Sequence, residues 1–289
     1  MSLRRPAFLA FIVFLFVLVE GSASAQSAGK VTDVIEPAGS SGKVDWTTGV
    51  ITAVGIGASP AQPANPAQGR GVAERAAQVV ALRNLLEAVK GVRVESTTAV
   101  ENFMVTSDMI RTDVNGIIQG ATIMDKKYMS DGSVEVTVGM KLTGALADAI
   151  LPKIPLTPAA LATSPAGSTP PAPVAGRPYT GLIVDARGLG ARPAMAPKIT
   201  NEDGKEIYGS ASISRDYAVR EGMVGYLKDP VAAQADPRVA DKPLLVKAIK
   251  ASGDSRVDLT ISNADAAAIQ SAAQNLNMLE KCRVIILVD

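Results

Sequence analysis

Between Pro152 and Pro178 the chain carries eight prolines, interleaved with Ala, Ser, Thr and Gly. Proline fixes φ at about −65° and has no backbone N–H to donate, so such a tract cannot sit inside a sheet or a helix. It reads as a semi-extended spacer over residues 152–178. The rest of the chain is thereby split into regions 45–151 and 179–289, each long enough to bury a core of its own. A shorter tract places prolines at 60, 63 and 66, the three-residue spacing of polyproline II. Because it joins two periodic segments it reads as an exposed loop, the alternative being a ligand for a groove-bearing partner.

The start of the chain has the three parts of a secretory signal in order. Arg4 and Arg5 are followed by an apolar run from Phe8 to Val19, and Ala23-Ser24-Ala25 precedes Gln26. That run is too short for a spanning helix, which needs about 20 residues. Cleavage after Ala25 is therefore expected, followed by a flexible segment over 26–44, with no integral membrane span afterwards and a periplasmic or exported location, peripheral to the outer membrane. Residues 1–25 include Arg4, Arg5 and Glu20, so without them the 29 basic and 28 acidic residues become 27 and 27. A neutral chain lacks the excess of Lys and Arg that nucleic-acid binding demands.

Histidine is absent and there is one cysteine, Cys282. Ser-His-Asp and Cys-His catalysis, imidazole acid/base chemistry and histidine-ligated zinc are thus excluded. No internal disulfide can form, and Cys282 reads as a small buried hydrophobe on or beside a strand, a reactive thiol being the sharper alternative.

In the first region, Asp45 to Gly57 has the β-branched content of a strand. From Val72 to Lys90 the residues Val72, Ala76, Val79, Leu82, Leu86 and Val89 recur at three and four, which predicts a helix on a sheet, closed by Gly91 as a left-handed cap. Val92 to Val100 reads as extended, and Asn102 to Asn115 as a weaker helix stopped by Gly116. Ser133 to Leu142 alternates strictly, with Val134, Val136, Val138, Met140 and Leu142 on one face. It pairs with Ile117 to Met129 through a hairpin at Asp131-Gly132.

In the second region, Thr180 to Ala186 reads as a buried strand. Lys198–Thr200 and Glu206–Tyr208 form a hairpin, as do Leu244–Ala251 and Arg256–Ser262. Ser262 starts a helix in a pattern resembling a capping box, running to about Leu276, and Arg283 to Val288 closes the chain as an interior strand. The expected class is α+β, two small domains of mostly antiparallel sheet with helices packed on one face.

The segment Trp46 to Gly57, the Ala-rich stretch Ala73-Glu74-Arg75-Ala76-Ala77 and the run Leu85 to Val92 together resemble the LPP-twenty lipoprotein family. They are also similar to the N-terminal domain of flagellar assembly protein T, over about residues 46–146. The resemblance carries no catalytic motif. It implies an envelope protein that builds or decorates assemblies close to the outer membrane, in some members rings around the flagellar motor. The lipobox cysteine of the lipoprotein members is missing, so this chain would be a non-lipidated variant.

Candidate site residues are few. Gly55-Ile56-Gly57 and Gly69-Arg70-Gly71 suggest phosphate-cradling loops, but the dinucleotide fingerprint fails because a proline tract lies between them, and turn glycines are the better reading. Asp185 emerges where a strand ends, with Arg187 and Arg192 close behind, a combination able to hold an anion or, through the carboxylate, a metal. Trp46 has two readings, an anchor for a partner or a core ring. Trp46, Asp185, Arg187 and Arg192 are the candidate interaction surface, and no catalytic residue, metal set or cofactor is expected. The leading function is a non-enzymatic structural or assembly component whose partners are envelope or outer-membrane-associated proteins or further copies of itself. The alternatives are a periplasmic module binding a small ligand or glycan, and a histidine-free metal-dependent hydrolase using Asp185 with Asp203, Asp216 or Glu221.

Overall fold

The computed structural model describes residues 33–62, 65–151, 179–271 and 273–289. The signal-peptide reading of 1–25, the flexible segment as far as residue 32 and the proline-rich spacer 152–178 lie outside the described residues.

The first lobe is built on five strands: β1 (Ile35–Ala38), β2 (Gly42–Asp45), β3 (Val50–Gly57), β4 (Thr122–Tyr128) and β5 (Val134–Lys141). They lie in the order β1-β2-β3-β5-β4 and every neighbouring pair is antiparallel. The strand expected from Asp45 to Gly57 is interrupted. The Asp45 carboxylate accepts from the Thr47 and Thr48 amides at 3.0 and 3.1 Å, and Gly49 takes φ +66°, so the chain turns between β2 and β3. The β4–β5 hairpin forms with the expected turn, but residues 117–119, expected in its first strand, are helical and the strand begins at Thr122. Asp131 accepts from the Ser133 amide and hydroxyl, and Gly132 has φ +82°.

Helix α1 (Pro66–Lys90) begins at a cap in which Asn65 Oδ1 accepts from the Gln68 amide, with proline at the first helical position. Its buried face is shifted from the expected one: Val89 is fully buried as expected, and Leu82 and Leu86 only partly so. Val72 and Val79 are exposed, and Ala73, Ala77, Ala81, Leu85 and Ala88 are fully buried. The reason lies in β3, whose helix-facing residues taper from Ile51 through Ala53 to Gly55 and Gly57. A Cβ on Gly57 would stand 2.5 Å from the Ala77 nitrogen and nearer still to the Ala73 carbonyl, and one on Gly55 would lie 2.7 Å from Ala81 Cα. Small residues on both sides let the two backbones approach, and Val at those helix positions would hold them apart. Gly55 and Gly57 are therefore strand glycines rather than turn or phosphate-loop glycines. Gly91 has φ −78°, so the helix ends without the expected left-handed cap.

The expected helix over Asn102 to Asn115 is two helices, α2 (Val100–Thr106) and α3 (Asp108–Gln119). Ser107 separates them, its hydroxyl accepting from the Ile110 amide at 3.4 Å, and Gly116 lies inside α3 rather than ending it. Helix α4 (Ala145–Ile150) follows β5.

The second lobe contains β6 (Gly181–Asp185), β7 (Ile199–Thr200), β8 (Glu206–Tyr208), α5 (Arg215–Glu221), β9 (Gly225–Leu227), α6 (Pro230–Gln234), β10 (Pro243–Ser252), β11 (Asp258–Ile261), α7 (Asn263–Gln270), α8 (Ala273–Glu280) and β12 (Val284–Leu287). Its seven strands run β8-β7-β11-β10-β6-β12-β9. The fold is α+β, as expected, but this sheet is mixed: β10, β6, β12 and β9 are parallel, as are β7 and β11. Both faces of its centre are covered. Leu182, Val184, Val284 and Ile286 enter the main core, whereas Ile183, Ile285 and Leu287 join Leu227, Ala233 of α6 and Val239 in a smaller one. Strands buried on both faces read as continuous apolar runs, and β6 and β12 do. At the start of α7, Ser262 Oγ accepts from the Asp265 amide at 3.0 Å and donates to its carboxylate at 2.7 Å.

The described residues belong to one compact unit. The main core runs through both lobes, from Ile51 and Leu85 to Tyr208 and Ile261.

Candidate functional site

Asp185 ends β6, and its carboxylate is clamped by the arginine two residues on. Arg187 donates from Nε to Oδ1 at 2.9 Å and from Nη2 to Oδ2 at 2.7 Å, with its own amide adding a third bond to Oδ1 at 3.2 Å. The guanidinium beside Asp185 holds its carboxyl below the ordinary value of 3.8. Arg187 is shifted upward in turn, by Asp185 first and then by the more distant charges of Asp289 and Asp229. The Asp289 carboxylate also accepts from the Gly188 amide at 2.9 Å. A carboxylate kept charged in a two-pronged ion pair is a weak base near neutral pH. Asp203 takes a bond from Asn201 in the β7–β8 turn, and Asp216 and Glu221 belong to α5. Among the described residues no three of Cys, Asp and Glu come together in an arrangement that could hold a metal.

The four candidate residues do not converge. Trp46 and Arg192 meet through Glu36, while Asp185 and Arg187 form their own pair. Trp46 is 7% exposed; its Nε1 donates to Glu36 Oε2 at 3.0 Å and its ring meets Tyr226 edge-on, 5.7 Å between centroids. Arg93 pairs with the same Glu36 oxygen, and Arg192 reaches the other from Nε at 3.4 Å. Glu36 and Arg93 carried no sequence signal, standing in a four-residue strand and an irregular segment. Together these side chains tie β1 to the second lobe.

The loop after Asp185 is part of that tie. The Met195 and Ala196 amides donate to the Arg93 and Val94 carbonyls at 3.0 and 2.7 Å, and Arg93 Nε donates to the Pro193 carbonyl. Tyr226 bonds both backbone groups of Ala194 through its hydroxyl, and burial raises that phenol well above its ordinary value of 10.0. The stretch from Pro193 to Ala196 thus spends its polar groups inside the molecule.

The outward face of the first sheet is different. It carries Val50, Thr52, Val54 and Ile56 from β3, opposite Lys141, Gly139, Thr137 and Glu135 of β5 in that order. Val50, Thr52 and Val54 are half-buried and Ile56 is 58% exposed. Met124, at a bulge in β4, is 56% exposed and lies over Gly139, where a Cβ would collide with its sulfur. Lys43, Asp45, Asp125 and Lys127 complete the charges on that face by register. The alternation along β3 carries this stripe in the sequence, where it predicts a strand and nothing about what faces outward.

Residues 181–289 match the protein family described as Treponema pallidum Tp0624, second domain. That is fewer than half of the residues, so it bears on the second lobe. No curated protein matches the chain. The resemblance of residues 46–146 to the LPP-twenty family and to flagellar assembly protein T is overturned: neither family matches, and the match that is found lies in the other lobe. Its carrier, a glycine-bearing strand followed by an alanine-rich helix, is the close-packed β3–α1 contact, which any lineage can reach by the same packing. Among the described residues no helix is long and apolar enough to cross a membrane.

Proposed function

We propose that this chain is an exported envelope protein without catalytic activity, which assembles with further copies of itself through the outward face of its first sheet. One observation carries the reading: an apolar stripe of Val50, Val54, Ile56 and Met124 bounded by charges of both signs. An apolar centre with a polar rim is the anatomy of a protein interface. Within the face Lys127 pairs with Glu135 at 2.8 Å and with Asp125 at 3.9 Å, so Lys43, Lys141 and Asp45 are the charges that a two-fold related copy can set against each other. Export rests on the basic start, short apolar run and Ala-Ser-Ala at residues 4–25.

Sedimentation of the purified chain over micromolar concentrations tests this. The expected result is a dimer or larger species that becomes monomeric when Ile56→Glu and Met124→Glu are combined, with the circular dichroism unchanged because both side chains are exposed. A wild-type chain that is monomeric throughout would sink the reading.

A further inference from the structure

A second feature, which shares Lys141 with that face, lies where the two lobes meet. A cleft of about 280 Å³ opens between the β2–β3 turn and the end of β5 on one side and the α5–β9 segment on the other. Trp46 and Tyr226 supply aromatic walls, and Leu142, Ala147, Leu151 and Met223 an apolar floor. Lys141, Arg220 and Arg238 line it against a single acid, Glu221.

The chemistry of that lining selects among ligands. Arg238 is committed, its guanidinium donating to the Gly222 and Cys282 carbonyls at 3.1 and 2.9 Å and to that of Glu221. It thereby covers the carbonyl end of α5, which would otherwise repel an anion. Arg220 is exposed, its guanidinium 5.2 Å over the Tyr217 ring, and Lys141 is exposed across the cleft. Two of the wall hydroxyls are already used, since Thr47 Oγ1 accepts from the Val34 amide and donates to the Tyr226 carbonyl and the Tyr226 hydroxyl makes both its bonds to Ala194, while those of Thr48 and Thr143 also line the cleft. Selection therefore falls to apolar contact, positive charge and two threonine hydroxyls able to donate to an anion. The volume is at the small end for ligand pockets and does not accommodate an extended glycan.

We infer that this inter-lobe cleft binds a small aromatic or aliphatic anion, its apolar part against Trp46 and Tyr226 and its charge toward Arg220 and Lys141.

Trp46 is the sole tryptophan and lines the cleft, so its emission reports occupancy directly. The test titrates the full chain with benzoate, benzamide and benzylamine, three probes of one shape and different charge. Benzoate is expected to change Trp46 emission saturably, benzamide to bind about fivefold more weakly and benzylamine more weakly still, with Arg220→Ala costing benzoate about fivefold. Ile56→Glu, outside the cleft lining, should leave the benzoate response intact whatever it does to assembly. Equal binding of the three probes, an Arg220→Ala chain that binds benzoate as well as wild type, or no saturable change at all would each overturn the inference.

Discussion

Gly55 and Gly57 do for this fold what no larger residue could, because α1 passes over them at backbone contact. Gly57→Ala must either push the helix away or bend the strand, and overpacking of this kind typically costs about 1–3 kcal/mol or more. Urea unfolding of that variant should show the loss as a lower midpoint with the slope retained. Cys282 illustrates a residue whose reading from sequence held: it is fully buried beside β12, with φ +56°, and burial pushes its thiol up to about 11. Iodoacetamide should modify it at pH 8 about tenfold or more slowly in the native chain than in urea, as mass spectrometry would record, because little thiolate exists and none is accessible. Asp185 gives a pH signature. Its folded value is depressed by Arg187, so the pair stabilises the fold above the unfolded carboxylate range, and that contribution is lost as the pH falls through the folded value. Asp185→Asn should therefore be less stable than wild type at neutral pH, by no more than about 1 kcal/mol for a partly exposed pair. Thermal midpoints measured from pH 7 downward should converge below 3.8.

At the scale of elements, local periodicity was informative wherever neighbours in sequence are neighbours in space. The β4–β5 hairpin, the existence of α1 and the start of α7 were all legible, since turn glycines, capping side chains and alternation act over a few residues. The face of α1 was not. Ranking by hydrophobicity favours Val72 and Val79 over alanine, but which stripe is buried depends on the tapering partner strand, and β3 offers room only for Ala73, Ala77 and Ala81. The consequence is an inverted sensitivity. Val79→Lys, at a position 60% exposed, should move the unfolding free energy by less than about 0.5 kcal/mol. Ala77→Val should cost about 1–3 kcal/mol by overpacking. The opposite ranking in urea titrations would mean the packing of α1 has been misjudged. The edges of the first sheet are equally informative. β1 is four residues long with Pro37 in it, and β4 carries a bulge and the charges of Asp125, Lys126 and Lys127. Both devices discourage strand addition, which leaves the face rather than the edge as the surface open to association.

For the molecule as a whole, pairing between distant segments decided what the sequence could not announce. The strands β6, β10 and β12 are adjacent and parallel although long stretches of chain separate them, and no local pattern encodes that order. The candidate site suffered most from this. Asp185, Arg187 and Arg192 look like one cluster because they are close in sequence, yet Arg192 turns to Glu36 of the first lobe while Asp185 and Arg187 satisfy each other. The two lobes, expected as separate domains, share the Trp46–Tyr226 contact, the Glu36–Arg192 pair and the Asp148–Arg215 pair. The Gly144 amide adds a backbone bond to the Val219 carbonyl at 2.6 Å. An interface carrying buried aromatics and backbone hydrogen bonds ties the unfolding of one lobe to the other, because opening it exposes the Trp46–Tyr226 contact and parts the Met195 and Ala196 amides from the Arg93 and Val94 carbonyls. The chain should consequently unfold in a single transition in urea, with Trp46 emission, which reads the interface, and far-ultraviolet circular dichroism, which reads both sheets, giving the same midpoint. Trp46→Ala should lower that shared midpoint by the cost of a buried aromatic, about 3–5 kcal/mol. Should the emission change complete before the dichroism begins, the lobes part while still folded, and the interface is a contact between two domains rather than the centre of one cooperative unit.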